Sequence, residues 1–204
     1  KVQAKAIDKA GNETLSNEKQ IETGEVTSAE NGAIVFENLN WSSGKANVTI
    51  KKTTSDSLKI RYKVLNSDGT ERISYKEISD VETISNLSSG EVIVAQLYDG
   101  VNGGKTTSLN IQDNTAPKEF EIVDKNITTS SIVVSVSTTD NESGLAGYRF
   151  SKDNGNTWSE YQTSGEYKFT DLIGDVSGVT YQIKVEAKDN AENTTVVEKN
   201  ISTV

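Results

Sequence analysis

The amino-acid sequence predicts an all-β protein made of β-sandwich modules in tandem, on three observations. Short runs alternate apolar and polar residues at period two, which places one face of a strand inside and the other outside. No stretch keeps a helical period for more than two turns. One strand-and-turn segment occurs three times, and its aspartates, Asp8, Asp99 and Asp189, stand 91 and 90 residues apart. A period of that size, filled by short strands, is the size of one sandwich.

The three copies also align upstream of the aspartate. Val2, Ala4 and Ala6 match Ile93, Ala95 and Leu97, and then Ile183, Val185 and Ala187. After each aspartate the chain turns, with Gly11, Gly100 and Gly103 available for positive φ. The third copy has Glu192 where the first has Gly11; a left-handed backbone there costs about 1 kcal/mol, so a different turn is expected. Residues 1–24 therefore read as the terminal strands of a module whose body lies upstream, truncated at Lys1. Two complete modules follow, at 25–112 and 113–204.

Within the first complete module, strands are expected at 32–39, 45–52, 58–65, 74–78 and 91–98, each a run of alternating or β-branched residues. The stretch NSDG at 66–69 supplies hairpin chemistry between two of them. In the following module strands are expected at 120–125, 131–137, 147–153, 166–170, 180–189 and 194–200, with an Asn-Gly hairpin signal at 154–155. Trp41, Tyr62, Tyr148, Phe150, Trp158 and Phe169 are read as core and hairpin packing. The first 24 residues hold only a hairpin, which is marginal alone in water, so it is expected either to pack on the next module or to complete a sheet in a neighbouring molecule.

Composition narrows the chemistry. Hydrophobic residues make up 33% of the 204 and aromatics 6%, enough for small cores and not for one large one. There is no His and no Cys, which removes Ser-His-Asp and Cys-His catalysis, thiolate zinc sites, His- or Cys-ligated haem and disulfides. The net charge of −9 is spread among interspersed acids and bases, so nucleic acid is repelled and is not an expected partner. No apolar run reaches membrane-spanning length, and no secretory leader is visible. Plentiful carboxylates and carbonyls leave hard cations such as calcium open.

Two stretches carry a family resemblance. TTSSIVVSVSTTDNESGLAGYRFSKDNG, followed by YKFTDLIGDVSGVTYQIKVEAKDNAEN, resembles a fibronectin type III domain. Ile132, Val134 and Val136 stand where that family's second strand alternates, and Tyr181 stands where its tyrosine-corner strand begins, with Leu172 before it. Val136 takes the place of the family's core Trp, so Trp158 is expected to fill that volume. The preceding module, with NLNWSSGKANVTI, LKIRYKV and GEVIVAQLYDGVNGG before the junction DNTAP (113–117), resembles a bacterial immunoglobulin-like repeat. The resemblance implies modules strung in tandem in extracellular, secreted or cell-wall-attached proteins of Gram-positive bacteria, among them adhesins and secreted glycosidases.

Candidate chemistry gathers at one pole of the last module. In a fibronectin-like sandwich the loop after the second strand and the loop before the last strand share the end where the chain enters. That brings Asp113, Asp140, Glu142 and Asp189 together, with Asn114 and Asn193 nearby, a set of oxygens suited to a structural calcium at the module junction. The competing reading is turn chemistry, in which Asp and Asn fold back on their own backbone; no dense D-x-D-x-D run is present. Asp99, Asp56 and Glu22 or Glu25 form a thinner set in the preceding module. Trp158, Tyr161 and Tyr167 cluster in sequence and suggest a sugar-binding platform, while exposed loop carboxylates with no apolar cleft argue against glycoside hydrolysis. No Lys, Asn and acid triple stands out for an isopeptide cross-link.

No catalytic residue and no cofactor other than that calcium are expected. The predicted role is a non-catalytic structural spacer in a bacterial surface or secreted multi-domain protein, with other modules of the same chain as its partners. The alternatives are an adhesion module that binds a glycan or a host surface protein through its loops, and an accessory domain of a secreted carbohydrate-active enzyme.

Overall fold

The computed structural model describes residues 5–7, 13–15, 33–173 and 178–204, and every helix or strand among them is a β-strand. Strands β1 (Lys5–Ile7) and β2 (Glu13–Leu15) form an antiparallel pair. Next come β3 (Ile34–Ser42), β4 (Lys45–Lys52), β5 (Lys59–Leu65), β6 (Glu71–Ile78), β7 (Val81–Leu87), β8 (Val92–Tyr98) and β9 (Thr107–Asn110). They make a sheet of order β3-β4-β7 and another of order β6-β5-β8-β9. The alternating residues of both sheets meet in one core. Ala46, Val48 and Ile50 of β4 and Ile84 of β7 lie in the same buried cluster as Ile60, Tyr62 and Val64 of β5 and Ile93, Ala95 and Leu97 of β8.

The second sandwich repeats this plan. Strands β10 (Val123–Ile127), β11 (Ile132–Ser135) and β13 (Glu166–Phe169) form one sheet in the order β10-β11-β13, and β12 (Leu145–Ser151), β14 (Thr180–Asp189) and β15 (Thr194–Ser202) the other in chain order. Residues 159–162 run beside β12, bonded by Tyr148 N–H to the Gln162 carbonyl and by the reverse bond, at 2.8 and 2.9 Å. This is the place β6 takes in the first sandwich. The expected strands are present, and 45–52 and 180–189 have the expected ends. Strands β7 and β9 were not expected. β7 loses its alternation where Asn86 turns left-handed (φ 62°), and β9 is only four residues long.

The core volume assigned to Trp158 is filled differently. Phe150, 1% exposed, stacks on Tyr167 with centroids 4.7 Å apart, and Tyr167 meets Phe169 edge-on at 4.9 Å. Trp158 sits half-buried outside that core, against the turn at Gly155 and beneath the Arg149 guanidinium at 4.7 Å. A charged partner holds its ring at the surface, and the core is built on Phe120, Tyr148, Phe150, Tyr167 and Phe169 instead. The tyrosine corner does form: the Tyr181 hydroxyl donates to the Ile173 carbonyl (3.1 Å) and accepts from the Ile173 N–H (2.7 Å). Trp41 packs half-buried on the first core, and the Asn-Gly turn has φ of 63° and 86° at Asn154 and Gly155, as that hairpin type requires.

The threefold repeat is visible as register. Counting from the aspartate, Lys5 and Glu186 each stand three residues before it, and each pairs with the residue seven after it, Leu15 and Val196. Ala95 and Val185 stand four before and pair eight after, with Thr107 and Val197. Thus three hairpins share one register, although Asp8 and Gly11 lie outside the described residues. The turn at Glu192 is left-handed (φ 71°): Glu192 takes the strained conformation itself and reaches Lys188 Nζ at 2.9 Å, while Gly11, with which it was compared, lies outside the described residues. Glu192→Gly should therefore be neutral to stabilising by up to about 1 kcal/mol, read as a rise in the urea midpoint.

The turn at 151–157 has its own electrostatic anchor. Asp153 accepts from the Thr157 hydroxyl (2.6 Å), the Thr157 N–H (2.8 Å) and the Ser151 hydroxyl (2.7 Å), and these donors hold its pKa down at about 2. A depressed folded-state pKa adds stability above the unfolded value of about 3.9, and that stability is lost as pH falls toward 2. Stability should decline across that window in urea titrations, and Asp153→Asn should flatten the decline.

Candidate functional site: the acidic joint between the sandwiches

The linker leaves the first core at Ile111 and enters the second at Phe120, both buried. Between them the chain is knitted to both sandwiches. The Asp113 N–H donates to the Ser89 hydroxyl, in the loop before β8, at 3.1 Å. The Asp113 carboxylate accepts from the N–H of Ser143, in the loop between β11 and β12, at 2.8 Å. Asn193, in the β14–β15 turn, donates to the Asp113 carbonyl at 3.2 Å, and the Thr195 hydroxyl bonds the Pro117 carbonyl. Across the gap, the β3–β4 turn approaches so closely that a Cβ on Gly44 would lie 3.1 Å from the Ser143 carbonyl oxygen. A crevice lined by Ser43, Gly44, Lys45, Ser88, Ser143 and Asn190 marks where the two poles meet.

Three carboxylates converge beside it. One oxygen each of Asp113, Asp140 and Asp189 lie within 4.8 Å of one another, and Asp113 and Asp189 are 2% and 0% exposed. Among the described residues no ion pair reaches any of them. Two like charges at that distance repel by roughly 3 kcal/mol at the effective dielectric of a protein interior. Amide donors offset part of this. Asp113 also accepts from Thr115 N–H (2.8 Å), Asp140 from Glu142 N–H (3.0 Å) and Gly144 N–H (2.8 Å), and Asp189 from Ala191 and Asn193 N–H (2.8 Å each) and the Asn193 amide (2.8 Å).

Glu142 adds a fourth carboxyl. Its hydrogen bond to Asp113, and then burial, push its pKa above the ordinary value. Burial pushes Asp113 up as well, but Glu142 and the N–H groups of Thr115 and Ser143 hold it below the ordinary carboxylate range.

Asp113, Asp140 and Asp189 thus come together at the expected pole, with Glu142 against Asp113. The two readings offered for these residues are compatible in space: each aspartate caps its own turn, and the three turns converge. The thinner set around Asp99 does not assemble. Asp56 pairs with Lys52 at 3.2 Å, and exposed Asp99 accepts from Val101 and Asn102 of its own turn at 2.7 and 2.6 Å; Glu22 and Glu25 lie outside the described residues. Trp158, Tyr161 and Tyr167 do not share a platform either. Tyr167 stacks inside on Phe150, while Arg149 covers Trp158 and Lys188 lies over Tyr161 at 4.5 Å.

Sequence reasoning missed three features of the joint and one of the sheets. Gly44, Ser143 and Asn190 close the joint, and the SSGK turn and the Asn after Asp189 were their only signals. Arg61 and Arg149 occupy one register, opposite Gln96 and Glu186, each flanked by aromatic rings: Tyr75 and Tyr98 for the first, Trp158 and Tyr161 for the second. Glu186 ties its Arg at 2.9 Å and also takes the Tyr161 hydroxyl, whose pKa burial and Glu186 push up to about 12.

Among solved structures the chain is similar to a two fibronectin type III domain segment from chicken tenascin. The TM-score is 0.51 at 16% identity, over 83% of this chain and 97% of that one. No protein-family model and no curated protein matches the sequence. The chain therefore has the fold of tandem fibronectin type III-like sandwiches.

Asn193→Ala would strip the buried Asp189 of one donor and untie the linker carbonyl. It should cost about 1–3 kcal/mol in urea unfolding and speed amide exchange at Ala191 and Ser143.

Proposed function

We propose that this chain is a non-catalytic spacer that holds two sandwiches at a set angle within a bacterial surface-attached or secreted multi-domain protein. The observation that carries this reading is the double attachment of Asp113, whose backbone is bonded to the first sandwich and whose carboxylate is bonded to the second. A linker free to swing has no need to bury a carboxylate, because an exposed one is solvated at no cost. Absence of His and Cys, and the lack of an assembled aromatic platform among the described residues, favour a mechanical role over catalysis or sugar capture. The partners under this reading are further modules of the same chain. The bacterial, extracellular setting rests on the sequence resemblance described above.

Solution X-ray scattering tests this directly. A spacer gives one extended shape that a single fixed arrangement fits. Gly44→Leu, which introduces a side chain against the Ser143 carbonyl and at a left-handed φ of 78°, should broaden that shape into an ensemble while each sandwich stays folded. Scattering from the unaltered chain that needs a broad ensemble would overturn the spacer reading.

A further inference from the structure

We propose that the joint binds one calcium ion, held by Asp113, Asp140 and Asp189, with Glu142 and the Ser143 hydroxyl completing the oxygen set. This deepens the spacer reading and rests on it. Convergence of three carboxylates is the first observation: their oxygens lie within 4.8 Å of one another, two of the three are buried, and no lysine or arginine pairs with them among the described residues. Turn-capping accounts for their inward lone pairs and leaves their mutual repulsion without a counter-charge.

The second observation is Ser143. Its residue is only 6% exposed, its N–H is bonded to the Asp113 carboxylate at 2.8 Å, and its hydroxyl oxygen makes no hydrogen bond of its own. Buried hydroxyls are nearly always partnered, so an orphan beside an uncompensated acidic cluster marks a missing ligand. The donor chemistry selects the ion. All the groups are hard oxygens, which excludes the softer transition metals as the preferred occupant. They come from three separate segments, so their geometry is adjustable, and calcium takes six to eight oxygens in a flexible shell where magnesium demands a tight octahedron. Four carboxyl groups and one hydroxyl provide at least five of these oxygens, with water supplying the rest. An ion there would tie the linker, the β11–β12 loop and the β14–β15 turn to one point, at the pole that faces Gly44.

Calorimetric titration of the whole chain with calcium chloride, after chelator treatment, decides the matter. One saturable site is expected, with a dissociation constant on the order of 10⁻⁴–10⁻³ M as in extracellular modules, at least tenfold weaker binding of magnesium, and a melting midpoint that rises with calcium. Asp140→Asn keeps the acceptor for Glu142 and Gly144 N–H while removing the charge, and should weaken calcium at least tenfold. Ser143→Ala should weaken it by a smaller factor with the fold intact. No saturable binding up to about 10 mM, or binding that Asp140→Asn leaves unchanged, would overturn the site. Scattering with chelator separates the two readings. A fixed shape without calcium binding retires the ion and keeps the spacer; calcium binding at a joint that still swings keeps the ion and retires the spacer.

Discussion

A carboxylate sealed away from water must be surrounded by donors or by positive charge, and Asp189 is fully sealed. It ends the central strand of its sheet, where the chain has to turn. The turn answers by presenting two backbone N–H groups and the Asn193 amide to it, and Asn193 then reaches the linker. Asp113 follows the same rule from the linker side, drawing the Ser143 N–H toward it. On the spacer reading proposed above, the angle between sandwiches follows from where buried acids find their partners. A patch of apolar contact would tolerate sliding; hydrogen bonds with fixed direction do not.

The three copies of the hairpin show how far one pattern can be bent. Register is common to all of them because it is dictated by alternation and by turn length. What differs is the fate of the aspartate. Asp99 is exposed and serves only its own turn, while Asp189, in the same register, is covered by the linker and the β11–β12 loop. The pattern is local and the burial is not, so the same Asp does different work in different neighbourhoods.

This also explains what was legible beforehand. Period-two runs such as 45–52 and 180–189 announce their strands because one face must be apolar, and the 90-residue repeat gives the module size. β7 was hidden since its alternation breaks at Asn86, and β9 since four residues cannot establish a period. The convergence of Asp113, Asp140 and Asp189 could be anticipated from the loop order of a sandwich alone. Ser143 and Gly44 could not. Their importance comes from a contact between two modules, and no pattern within either module encodes it. Trp158 was misplaced because Val136 stands where the resembling family has its core Trp and Trp158 was assigned that volume, whereas Arg149 offers its ring a charged partner at the surface.

The near-touch of Gly44 and Ser143 has an architectural consequence. Two backbones this close leave no tolerance for a different neighbour. Exchanging one module for another along such a chain would therefore require the β3–β4 turn of one sandwich and the β11–β12 loop of the next to match, so the unit that must fit is the junction.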